Sequence, residues 1–259
     1  MPPRRTQDYK TEKTDDQYET WLTLPDSWKL VMTASSCSKT NNYFGTAYWH
    51  PEHQQVVIAH QGADPTNLGR NLRDVVGLVV KHHVPQMSSA STFAHKVVEV
   101  LQEVNYMRGI SFQLFFTRYF LGGWLAQLTT FTTEYLKREE KFFLRSIDDN
   151  DCYHPHTVVF DSPGCKDMSE MRDTFDVRLA GRSIDLEHLD ITTYLSAPNL
   201  INTCKSHIGT DHRIFNDLSD MGWQQKLTPI YNLGTHDMSK IVKVFDPTTG
   251  QVTKMSKVN

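Results

Sequence analysis

The stretch Ile110-Ser-Phe-Gln-Leu-Phe-Phe-Thr-Arg-Tyr-Phe-Leu-Gly-Gly-Trp-Leu-Ala-Gln127 changes its hydrophobic period in the middle. Ile110 to Thr117 is aromatic and aliphatic enough for a strand buried on both faces, with Thr117 closing it as a structural residue. Beyond the turn-like pair Gly122-Gly123, Leu121, Trp124, Leu125, Leu128, Phe131 and Tyr135 fall at helical spacing. A strand therefore passes through a tight turn into a helix. Upstream, Phe93, Val97, Val100, Leu101 and Val104 mark one face of another helix, with Ser91 placed as its N-cap and Gly109 as its stop.

Further out, Gln55-Val-Val-Ile-Ala-His60 is a short β-branched run that ends in Gln61-Gly-Ala-Asp-Pro-Thr66, where glycine and proline forbid a continuing strand. Thr157-Val-Val-Phe160 and Ile191-Thr-Thr-Tyr-Leu195 also read as strands. Lys240-Ile-Val-Lys-Val-Phe245 is either a last strand or an amphipathic helix. Strands alternating with helices place the chain in the α/β class, as a mostly parallel sheet with helices on both faces. Residues 1–20 carry four Lys/Arg and five Asp/Glu and too little apolar surface to bury a face, so they read as a charged N-terminal arm. From residue 21 to 259 no Gly-, Ser- or Pro-rich linker and no repeat interrupts the pattern, which makes one domain.

Composition narrows the function. With 39% hydrophobic and 22% charged residues the chain is a soluble globular type, and a net charge of −3 without a basic stripe argues against nucleic acid or anionic membrane surfaces as partners. No apolar run has the length of a membrane span, and the polar start has no signal-peptide core, so the expected setting is cytoplasmic or within an intracellular assembly. Cys37, Cys152, Cys165 and Cys204 are too scattered for a disulfide scaffold or a zinc site; they read as free thiols, with intermolecular disulfides as the alternative.

In α/β hydrolases the nucleophile stands on a sharp strand-to-helix turn of pattern G-x-S-x-G. Thr117-Arg-Tyr-Phe-Leu-Gly-Gly-Trp-Leu-Ala126 resembles the elbow of the class 3 lipase-like α/β-hydrolase family, T-G-H-S-L-G-G-x-L-A, with its second half intact from Leu121. Val57-Ile-Ala-His-Gln-Gly62 is similar to the strand and loop that supply an oxyanion donor there, and Val158-Val-Phe-Asp-Ser-Pro-Gly164 to the strand after the elbow helix. The resemblance spans roughly residues 43 to 245. It implies a lipase-like domain in which Phe120 occupies the nucleophile position, Asn199 that of the orienting acid and His236 that of the base, with Gln61 and Gly62 as the former oxyanion loop. Phe120 has no group that a base can activate, so the elbow is degenerate. Arg118 in place of the first elbow glycine implies a relaxed or rebuilt turn.

Other candidates carry less chemistry. Ser162 and Cys165 fit as loop residues beside Pro163 and Gly164 rather than as substitute nucleophiles. The pairs His82-His83 and His154-His156, with His207 and His212, have no metal-ligand spacing, and Asp148, Asp149 and Asp151 do not complete a calcium loop. Phe115, Phe116, Trp124, Phe131, Phe142 and Phe143 read as core before they read as a lipid pocket. No cofactor or metal is implied. The expected role is that of a catalytically inactive lipase-like protein serving as a structural, self-associating subunit, for instance of a viral or storage assembly, held by the N-terminal arm. The alternative is a pseudoenzyme that binds a lipid or protein in the old acyl pocket. An active esterase is the least favoured reading.

Overall fold

In the computed structural model, residues 27–35, 43–61, 86–106, 112–138, 155–166, 186, 189–199, 201–214, 238–253 and 255–257 are described. The β-branched and aromatic runs form an eight-stranded sheet of β1 Lys29–Ser35, β2 Phe44–His50, β3 Gln55–His60, β4 Gln113–Tyr119, β5 His156–Phe160, β6 Ile191–Leu195, β7 Thr210–Ile214 and β8 Met255–Lys257. Their order in space is their order in sequence. β1, β2 and β3 pair antiparallel, β3 through β7 run parallel, and β8 returns antiparallel on β7.

The described helices are α1 Met87–Tyr106, α2 Leu121–Arg138 and α3 Met238–Val242. A parallel sheet that always steps in one direction brings successive right-handed crossovers to the same face. α1 and α2 accordingly pack together over Ala47, Val56, Ile58, Leu114, Phe116 and Val159. The opposite face is covered near β4 to β7 by α3, through Ile241 with Ile214, Val244, Tyr119, Phe160 and Tyr194. There the Phe245 ring meets Phe160 and Tyr194 edge-on at 5.6 and 5.1 Å. Helices thus lie on both faces of a mostly parallel sheet, the second face using a single short one among the described residues.

Four local expectations are corrected. Ser91 is not an N-cap: Met87 and Ala90 are buried, so the apolar stripe reaches a turn further upstream, and the Gln86 carbonyl accepts the Ala90 N–H at 2.9 Å. Ser91 lies inside α1, its hydroxyl 3.4 Å from that of Thr132 on α2. The central strand continues past Thr117 to Tyr119, because Arg118 and Tyr119 pair with Val159 and Phe160 of β5. Only one of its faces is fully buried; Leu114 and Phe116 point into the core while Phe115 and Thr117 are half-buried. The strand alternative for residues 240–245 is replaced by α3 and the turn after it.

A buried polar pair links the sheet to α2. His60, fully buried at the end of β3, lies 2.8 Å from the Tyr43 hydroxyl at Nδ1 and 3.1 Å from the Thr129 hydroxyl at Nε2. Thr129 donates its own proton to the Ala126 and Leu125 carbonyls at 2.9 and 3.1 Å, so it accepts from Nε2–H, and Nδ1 is left to accept from Tyr43. Burial, with the Arg118 cation adding to it, lowers the His60 pKa from 6.5 to about 3, so the ring is neutral.

Close approach at the start of α2 depends on Gly123. A Cβ there would lie 2.9 Å from Ser162 Cβ and 3.1 Å from the Arg118 carbonyl oxygen. Gly123→Ala gains about 1 kcal/mol of helix propensity, but the collision involves backbone and a pinned side chain, costing about 1–3 kcal/mol. A net destabilisation of up to about 2 kcal/mol is expected by urea unfolding; a stabilised variant would show that the contact relaxes freely.

Candidate functional site

The candidate site is the edge of the sheet where the parallel strands end. One residue, Phe120, separates the end of β4 from the start of α2. Its φ is 57°, the left-handed region that a bulky L-residue enters at a cost of about 1–2 kcal/mol. The turn is therefore tight, not relaxed as Arg118 had implied. It is held from both sides: Phe120 N–H donates to the Phe160 carbonyl at 3.0 Å, and the Phe120 carbonyl accepts the first helical bond from Trp124 N–H at 3.2 Å. With its N–H and C=O both committed, the residue cannot relax without losing the register of β4 on β5 or the first turn of α2. Arg118 stands on β4 one residue before the turn's own neighbour Tyr119, paired with Val159 of β5. The Phe120 ring is half-buried and packs against the core, presenting only carbon where the resemblance places a nucleophile.

Next to it, β5 is followed directly by Asp161, a second residue in the left-handed region at φ 47°. The carboxylate is fully buried and accepts four hydrogen bonds. Ser196 N–H and Ser196 hydroxyl donate at 2.7 Å each, Asn202 Nδ2 at 2.7 Å and Asn199 Nδ2 at 3.2 Å. Asp161 N–H also donates to the Tyr194 carbonyl at 2.8 Å, fixing β5 against β6 at their ends. Arg213 of β7 donates to the Ser196 carbonyl, and the charges of Asp161 and Asp211 favour its cationic form against burial, which lowers its pKa. The group is a closed knot: carboxylate at the centre, neutral donors around it, one guanidinium at the rim.

Asn199 belongs to this knot and to a turn. Its Oδ1 accepts from Ile201 and Asn202 N–H at 2.9 Å each, and Asn202 Oδ1 accepts from Asn199 N–H at 3.0 Å. The reciprocal pair caps one helical turn in the manner of a capping box. Both ends of the Asn199 amide are thus engaged. Gln61 at the end of β3 is half-buried, and its backbone N–H donates to the Phe44 carbonyl at 2.7 Å. That N–H extends the β2–β3 ladder and is not free as an oxyanion donor. Gly62 and His236 lie outside the described residues, as do residues 1–20, Cys37, Cys152, Gly109, His82, His83, His154, Phe142, Phe143 and the acidic loop at Asp148, Asp149 and Asp151.

Ser162 and Cys165 are buried and held by one side chain of α2. Gln127 Nε2 donates to Ser162 Oγ at 2.9 Å, and Cys165 Sγ donates to Gln127 Oε1 at 3.0 Å. Gln127 thereby locks the elbow helix to the segment after β5. Trp124, Phe116 and Phe131 fill the core, and Phe115 stacks on His156 with ring centroids 5.1 Å apart. Sequence reasoning missed Asp161, Ser196, Asn202 and Arg213. The available signal was the aspartate directly after a buried strand followed by a cluster of Ser and Asn after the next one.

No protein-family model matches the chain, and no curated protein matches it. Among solved structures it is similar to Lipase II from Rhizopus niveus (13% identity, TM-score 0.48, 73% of this chain and 67% of that one). It is also similar to the lipase in the Rhizomucor miehei lipase propeptide complex (12%, 0.47, 73% and 57%) and to the lipase from Rhizopus microsporus var. chinensis (12%, 0.44, 73% and 62%). This chain thus spans less than two thirds of the length of the last two. With five parallel strands and a one-residue turn from the central strand into the helix behind it, the chain has an α/β fold with a mostly parallel sheet, and the likeness to these lipases is one of fold alone.

Proposed function

We propose that this chain uses a lipase-like fold without hydrolysis, as a structural, self-associating subunit of the kind found in viral or storage assemblies. The observation that carries the non-hydrolytic part is Phe120: the strained elbow is kept, and the residue on it has no nucleophilic atom. The closed state of the neighbouring groups supports the same reading. Asn199 is consumed by the Asp161 knot and its own turn, Ser162 and Cys165 by Gln127, and the Gln61 N–H by the sheet.

Self-association is supported by the edge at β1. Among the described residues β1 pairs on one side only, Leu30 on it is 56% exposed, and the charged arm precedes it in the chain. An arm that reaches a neighbouring subunit is a low-cost route to assembly. Light scattering of the intact chain and of a chain lacking residues 1–20 tests this. An assembly that falls to about the mass of one chain on arm removal is the expected result; a monomer in both forms overturns the structural reading. The intact chain is also expected to leave p-nitrophenyl butyrate at its buffer rate, and saturable turnover would overturn the non-hydrolytic part.

A further inference from the structure

We draw no further inference here: the strongest candidate, the row of Leu30, Tyr48, Val57 and Phe115 across β1 to β4 on the sheet face opposite α1 and α2, half-buried with Leu30 exposed at its end, carries nothing because nothing in the structure shows what covers it.

Discussion

Asp161→Ala is expected to lower the unfolding free energy by about 3–5 kcal/mol, the loss that follows when one partner of a buried charged network is removed. The carboxylate accepts from Ser196, Asn199 and Asn202 at shorter distances than the Ala197 carbonyl they also share, and these donors are all buried. Without it, the Asn199 and Asn202 amides keep only their longer bonds to Ser196 and the Ala197 carbonyl, at 3.2–3.3 Å, and Arg213 loses one of its two compensating charges. The bonds act as one unit, so their separate values do not add. Backbone conformation works in the same direction, because alanine tolerates the left-handed φ of 47° less well than aspartate does. Asp161→Asn separates the two effects: it keeps that tolerance and the shape, but turns an acceptor into a donor among donors. A loss of about 2–3 kcal/mol is expected for it. Urea unfolding of the full chain followed by circular dichroism measures both, and a loss below about 1 kcal/mol for Asp161→Ala would show that the knot closes without its carboxylate.

The second large effect is acid lability from His60. Its folded-state pKa is about 3 against 6.5 for the free side chain, because burial leaves the charged form without solvation. Between those pH values the unfolded chain binds a proton that the folded chain refuses, so stability rises with pH through this window. The contribution is fully present above the unfolded value and is lost as pH falls toward the folded one, amounting to roughly 4–5 kcal/mol in all. Carboxylates also titrate there, which makes the comparison with His60→Gln necessary. That variant keeps a polar group between Tyr43 and Thr129 and removes the titration. The wild-type stability curve is expected to fall more steeply than the variant's between pH 6.5 and 3; parallel curves would show that His60 accepts its proton in the folded state.

Much of the fold is legible from near neighbours in sequence. The period change at residues 110–127 announces the elbow, and the β-branched runs announce β3, β5 and β6 close to their observed limits, because these patterns depend on residues within a turn or a few strand positions of one another. The identity of the elbow residue is local in the same sense, so the missing hydroxyl at Phe120 is visible without any structure. Boundaries were less legible. α1 starts at Met87 and β4 runs to Tyr119 because of packing on α2 and pairing with β5, which are not properties of those segments alone.

The candidate site was the least legible part. Asp161 looks like a loop residue before Ser-Pro-Gly, and its donors come from 35 to 41 residues away. His60 looks like the polar end of a strand, with partners 17 and 69 residues distant. Asn199, read as occupying the position of the orienting acid, also caps a turn, and the Gln61 N–H is a rung of the sheet. The sequence by itself determined the alternation of strands and helices, the place of the strand-to-helix turn and the carbon-only side chain on it. Only the tertiary structure decided which polar groups are consumed, which face each helix covers and how tightly the elbow turns. The reason is that periodicity is set by neighbours along the chain, whereas the satisfaction of a buried polar group is set by segments that meet only after folding.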